Sequence, residues 1–194
     1  MASLFSGIIY KVHYKTILNW DKTYIFCANH SSNLDIFALS ATLKGNYFFM
    51  GKHELLDSIF TRRYFQTIDI PVDRESKIGA YRALKKAEQR LQDGLSLVIF
   101  PEGAIEDHYP PRLMPFKNGT FKLAIENKVA IVPVSLRNNW ELLWDDGKKY
   151  GSKPGISHIY VHEPIETIGL TLKDEENLKN KVFEIVHSKL SYNK

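Results

Sequence analysis

Short β-branched and aromatic runs alternate with segments of helical period along almost the whole chain, and that rhythm admits few folds. YIFCA (24–28), NYFFMG (46–51), TIDIPV (67–72), LSLVIF (95–100), AIVPVSL (130–136) and HIYVH (158–162) read as strands. The clearest helix covers residues 76–92, with Ala80, Leu84, Ala87 and Leu91 as its apolar stripe, Lys85, Lys86 and Arg90 on its wet face, and Gly94 as its stop. Further helices are expected at 33–43, closed by Gly45, and at 54–65, 119–127 and 173–190, with residues 1–20 as an N-terminal helical segment close to a membrane. Strands alternating with helices define an α/β fold, a mostly parallel mixed sheet flanked by helices. At 194 residues, without an internal repeat or a low-complexity linker, the chain fits a single domain, 1–194.

Composition removes several classes of function. No apolar run approaches the roughly 18 to 20 residues that cross a bilayer, the longest being 47–50, 95–100 and 129–136. The opening MASLFSGIIY lacks a basic region followed by a small-residue cleavage site, so no secretory signal is expected and any membrane contact is expected at the surface. Cys27 is the only cysteine, which excludes an internal disulfide framework and suits the cytoplasm. The net charge of +4 suits anionic lipids, phosphorylated small molecules or nucleic acid equally. No nucleophile elbow, phosphate-binding Gly-rich Lys-Ser/Thr loop or dinucleotide fingerprint is present.

Three polar segments sit where strands end. YIFCA leads into Asn29-His30-Ser31-Ser32-Asn33-Leu34-Asp35. With Ser32 as helix N-cap, Asp35 reads as the back half of a capping box, and His30 before the cap can fold back toward that carboxylate. A bonded His-Asp pair fixes the imidazole tautomer and stabilises its cation, whereas the plainer reading makes Asp35 a cap and His30 a loop residue. Phe100-Pro101-Glu102-Gly103 opens an irregular loop that runs through Pro110, Pro111 and Pro115 to Asn118, at the edge where open α/β sheets hold ligands. Pro115-Phe116-Lys117-Asn118-Gly119 then feeds a helix whose free N–H groups favour an anion. Ile70-Pro71-Val72-Asp73-Arg74 sets Arg74 after a third strand, to hold a phosphate or to pair with Asp73 or Glu75.

NHSSNLD, IPVDR, FPEG with PFKNG, and Ile131-Val132-Pro133-Val134 resemble, in order and spacing, the sequence blocks of the glycerolipid acyltransferase family that includes bacterial 1-acylglycerol-3-phosphate acyltransferase. The likeness covers roughly residues 20–140, and Lys52-His53-Glu54-Leu55 resembles the family's Lys-x-Glu-Leu segment. The resemblance implies a glycerol-3-phosphate acyltransferase-like fold, His30 as general base, Asp35 as its orienter, and Arg74, Glu102 and Gly103 in the acceptor site. It implies transfer of a fatty acyl group from acyl-ACP or acyl-CoA to a lysolipid hydroxyl. Direct transfer of that kind needs no metal or cofactor, and it is expected at the inner face of the cell membrane with no nucleic acid as partner. Family members continue FPEG with Thr or Ser and then Arg, whereas Ala104 and Ile105 follow here. Lys117 or Arg112 is then the substitute cation, or the acceptor's head group is not a simple phosphate. Family members often carry hydrophobic helices ahead of the His block, so a shortened or anchor-free form is expected.

Other signals point elsewhere. His53-Glu54-Leu55-Leu56-Asp57 resembles a zinc-protease helix with Asp57 in place of the second His, and His158 and His162 share a strand face. Cys27, three residues before His30, reads as a buried core residue rather than a nucleophile. Residues 55–65 pair apolar side chains with Arg62 and Arg63, as either an interfacial or a core-facing helix. The rival functions are a hydrolase of acyl thioesters and a non-catalytic lipid- or nucleic-acid-binding module, the latter disfavoured because the basic residues are spread rather than gathered in an aromatic-interleaved stripe.

Overall fold

Three segments are buried along their whole length: Tyr24–Ala28 (β2), Ser96–Ile99 (β5) and Ala130–Leu136 (β6). A strand covered on both faces belongs in the middle of a sheet with helices on either side, and that is where the computed structural model, which describes residues 7–52, 70–72, 76–144 and 151–191, has them. Around them lie Ile8–Tyr14 (β1), Tyr47–Lys52 (β3), Ile70–Val72 (β4) and Gly155–Val161 (β7). The seven form one sheet in the order β1-β7-β6-β2-β5-β3-β4. β6, β2, β5, β3 and β4 run parallel, while β7 is antiparallel to β6 and carries β1 parallel to itself. The sheet is therefore mixed and mostly parallel, and the carboxyl ends of β2, β3, β5 and β6 share one edge.

Helices cover both faces. Lys77–Gln92 (α2), Gly119–Asn127 (α3) and Glu175–His187 (α5) bury Ala83, Ala87, Phe121, Ala124, Val182 and Val186 against Ile25, Cys27, Phe48, Leu97 and Ile131. On the opposite face Leu34–Thr42 (α1) sets Ala38 and Leu39 against Phe26, Val98 and Val132. A short helix, Asn139–Leu142 (α4), follows β6, and a 3-10 turn at Leu172–Asp174 precedes α5. Ser76 caps α2 by accepting the Gly79 N–H at 3.0 Å.

Two expectations change. Residues 8–14 form a strand, not part of a helix: IIYKVHY alternates with period two, and its register with β7 leaves Ile9, Lys11 and His13 on one side of the sheet. The last strand starts at Gly155, earlier than the apolar run suggests, and pairs antiparallel with β6. The expected helix at 54–65, with its Arg62 and Arg63, and the first half of the strand at 67–72 lie outside the described residues.

Candidate active site

β2 runs between β5 and β6, so whatever follows Ala28 emerges at the centre of the carboxyl edge. Asn29 holds that exit in register. Its Nδ2 donates to Leu136 O at 3.0 Å and its Oδ1 accepts the Leu136 N–H at 2.7 Å, so the side-chain amide extends the ladder one step beyond the backbone. His30 is thereby fixed to a rigid strand end.

The His30 ring and the Asp35 carboxylate meet across the turn, with Nδ1 3.0 Å from Oδ2. The same Oδ2 accepts the N–H groups of Ser31 at 2.7 Å and Ser32 at 2.9 Å, while Oδ1 accepts Nδ2 of Asn139 at 2.8 Å. Asp35 is fully buried, and the His30 side chain is 11% exposed. With the other neighbours of this carboxylate all donors, the ring nitrogen facing it carries the proton, and Nε2 is left with its lone pair. The bond from Ser32 N–H to Asp35 is the back half of the expected capping box, but α1 begins at Leu34, with Asn33 at the cap position, and Ser32 Oγ accepts from Leu34 N at 3.0 Å.

Glu102 joins this turn to the loop after β5. Its Oε1 accepts the His30 N–H at 2.6 Å and its Oε2 accepts the Met114 N–H at 2.8 Å. Burial pushes the Glu102 carboxyl up to about 8, against the pull of the Met114 and His30 N–H groups, and the Asp35 and Glu106 charges add to the rise. With 5% exposure and both oxygens engaged, Glu102 clamps two loops together. Phe100, just ahead of it, stacks on the His30 ring with centroids 4.0 Å apart and planes 13° from parallel.

Gly103 has φ +82°, a conformation that side chains rarely adopt. A Cβ there would stand 2.6 Å from Nζ of Lys117, so the lysine side chain lies directly across this turn. The loop folds back to permit it, with Lys117 N–H donating to Pro101 O at 2.9 Å. Gly103, Lys117 and Thr120 line a cavity of about 300 Å³ whose walls include Met50, Val72, Leu84, Ile99 and Phe100. His30 meets this cavity through Phe100 rather than lining it. Arg112, the other candidate cation, is exposed and donates its backbone N–H to Glu106 at 2.7 Å. Arg74 lies outside the described residues.

Sequence reasoning thus finds His30, Asp35, Glu102, Gly103 and Lys117 at one edge, and misses Asn139 and Phe100. Asn139 sits just past the end of β6, and the only signal for it is a polar Arg137-Asn138-Asn139 run at the carboxyl end of another strand. The alternative chemistries find no such convergence. Cys27 is buried within β2, and burial, then the Glu102 charge, push its thiol far above the ordinary range. His162 is bonded to Ser135 Oγ at 2.9 Å while His158 lies against His13, so the two do not share a ligand. Among the described residues no three His, Cys, Asp or Glu side chains cluster as a metal site, and the His53 to Asp57 segment lies outside them.

A sheet edge bearing a His-x4-Asp pair clamped to a Pro-Glu-Gly turn defines a class, and sequence comparison gives the class its name: residues 9–137 match the acyltransferase family, to which the chain belongs. An uncharacterised acyltransferase from Schizosaccharomyces pombe is 29% identical over 92% of this chain and 64% of its own length. The 1-acyl-sn-glycerol-3-phosphate acyltransferase of Haemophilus influenzae is 28% identical over 86% of this chain and 68% of its own, and the human alpha form is 29% identical over 82% and 56%. The crystal structure of the 1-acyl-sn-glycerophosphate acyltransferase PlsC from Thermotoga maritima superposes with a TM-score of 0.76 and 25% identity, covering 96% of this chain and 72% of that one. The chain spans between about half and two thirds of the length of most of these curated relatives.

Proposed function

We propose that the chain transfers a fatty acyl group from a thioester donor, acyl-ACP or acyl-CoA, to the free hydroxyl of a lysolipid, with 1-acylglycerol-3-phosphate as acceptor and phosphatidic acid as product. The observation that carries the proposal is the His30–Asp35 bond, because Asp35 is itself fixed by Ser31, Ser32 and Asn139 and leaves His30 Nε2 free to take a proton. Nε2 removes the hydroxyl proton as the acceptor oxygen attacks the thioester carbonyl. A tetrahedral oxyanion forms, the C–S bond breaks, and the imidazolium returns its proton to the thiolate. Asp35 stabilises the imidazolium in between. No covalent acyl-enzyme and no metal enters this scheme.

Lys117 and Arg74 are assigned to the acceptor's phosphate, Lys117 because its ammonium lies across Gly103 at the mouth of the cavity, and Arg74 from its place just after β4 in the sequence. The apolar cavity walls suit a hydrocarbon chain. The chain is proposed to work in the cytoplasm, on the inner face of the cell membrane. Phe37, Ile78, Tyr81 and Tyr109, 43% to 65% exposed, support contact at the carboxyl edge. Among the described residues no helix is long and apolar enough to cross a membrane.

The test is thiol release from palmitoyl-CoA and from a palmitoylated acyl carrier protein, in mixed micelles with and without 1-acylglycerol-3-phosphate, with the lipid product followed in parallel. Acceptor-dependent release matched by phosphatidic acid is expected. Release that ignores the acceptor would identify a hydrolase instead.

A further inference from the structure

The wing of the sheet beyond α5 carries a second organised surface. Cross-strand pairing stacks Ile9 with Ile156, Lys11 with His158 and His13 with Tyr160, and Lys15 follows with its N–H bonded to Val161 O at 2.9 Å. Tyr160 in turn lies opposite Ser135, whose hydroxyl donates to Val186 O, so the ladder is on the side that α5 occupies over β6. The His13 ring stacks on Tyr160, with centroids 4.6 Å apart, and its Nε2 is 3.2 Å from His158 Nδ1. Arg137 donates to the Tyr160 hydroxyl at 3.4 Å, and Lys189 Nζ stands 5.7 Å from the Tyr160 ring centre. Strand pairing thus gathers basic residues that the sequence scatters.

The surface is open and basic in excess, with the Glu141 carboxylate at its rim, where Ser191 Oγ bridges Arg137 O and Glu141 Oε1. Lys11 and Lys15 are exposed, and Ile9 and Ile156 are 66% and 46% exposed. Burial lowers the proton affinity of His158, and every charge acting on it is positive: His13, Arg137 and Lys11. Lys189 and Lys15 add to burial in the same way at His162. Lysines on an edge strand also deter unwanted strand pairing. That role accounts for Lys11 and Lys15 but not for Arg137, His158 and Lys189, which come from interior strands and the end of a helix.

Position decides the partner. β7 is two strands from β2, about 10 Å, and because it runs antiparallel to β6 its Ile156 end lies at the same edge as His30. The basic rungs descend from there along the side of the sheet, parallel to the strands. A flat bilayer resting on the carboxyl edge meets the Ile9–Ile156 rung and not Lys15, so the side face remains available to a soluble body. We propose that this face docks an acidic protein that carries the acyl thioester, its arm passing over Ile9 and Ile156 toward His30. The inference rests on the acyl-transfer reading above.

The test compares palmitoyl donors on acyl carrier protein and on coenzyme A, with the wild type, the double variant Lys11→Glu/Lys15→Glu, Arg137→Glu and the control Lys44→Glu, an exposed lysine between α1 and β3 at the amino edge of the parallel strands. For the protein-borne donor, KM should rise about tenfold or more in the face variants and rise with salt in the wild type. Its kcat, the KM for the coenzyme A donor and the control should not change. An unchanged KM would overturn the proposal, as would an equal rise for both donors. So would loss of binding to phosphatidylglycerol vesicles with donor kinetics intact. If neither donor is turned over, the acyl-transfer reading fails. Titration of labelled acyl carrier protein then decides the docking face alone, weaker binding by the variants supporting it and absence of binding to the wild type refuting it.

Discussion

Two neighbouring parallel strands end in loops of opposite character. After β2 the chain turns within five residues, and Asn29, Ser31, Ser32 and Asp35 are all buried, with their backbone or side-chain groups tied to β6, α4 or one another. After β5 it wanders through the prolines to Asn118, half of it exposed, held by the Glu102–Met114 and Lys117–Pro101 bonds within the loop, by Tyr109 edge-on to Trp140 and Trp144, and by Phe116 in the core. Proton transfer tolerates little error in geometry, and the proposed base sits on the tied turn. Recognition of an acceptor tolerates more, and the cation proposed for it, Lys117, sits on the loose one. The two are coupled through the buried Glu102 side chain and the Phe100 ring stacked on His30.

The comparison predicts that damage to the tied turn is felt in kcat and damage to the loose loop in KM. Asp35→Asn should lower kcat about 10³-fold with little change in either KM, because the amide presents a donor to other donors and releases the ring tautomer. Lys117→Gln should raise the acceptor KM about tenfold to a hundredfold, the worth of a hydrogen bond from a charged group, and leave the donor KM alone. A mainly kcat effect at Lys117 would place it in the chemistry instead. Asn139→Ala removes one of the bonds to Asp35 and should cost about 1 kcal/mol, read as a five- to tenfold loss of kcat together with a lower Tm. The last effect is on stability instead of rate. A folded Glu102 holds its proton up to about pH 8, whereas an unfolded glutamate releases it near 4.5, so the folded state binds more protons across that window and loses stability as pH rises. Denaturant titrations should show a decline of at most about 1.4 kcal/mol per pH unit from this group, flattened in Glu102→Gln.

What the sequence made legible follows the same division. Local patterns sufficed for β2, β6 and α3, whose bounds at 24–28, 130–136 and 119–127 are those read from periodicity. The closeness of His30 to Asp35 was legible because both lie in one turn. Asn139 and Phe100 were not, since their contacts join segments far apart in sequence and depend on which strands are neighbours. The bonding of Glu102 was not legible for a related reason. FPEG marks a carboxylate at the ligand edge, but only the fold reveals that backbone N–H groups occupy both its oxygens. β1 went unread although its alternation was visible, because Ile8 is its one buried residue and a strand at the edge of a sheet leaves a faint apolar signal.

The base itself is the central claim, and His30→Ala tests it most directly. The variant, confirmed as folded by circular dichroism and an unchanged denaturation midpoint, is assayed for acceptor-dependent thiol release beside the wild type. A loss of about 10³-fold or more is predicted, with both substrates still bound. Turnover within a few-fold of the wild type would contradict the account, whatever the geometry of the pair.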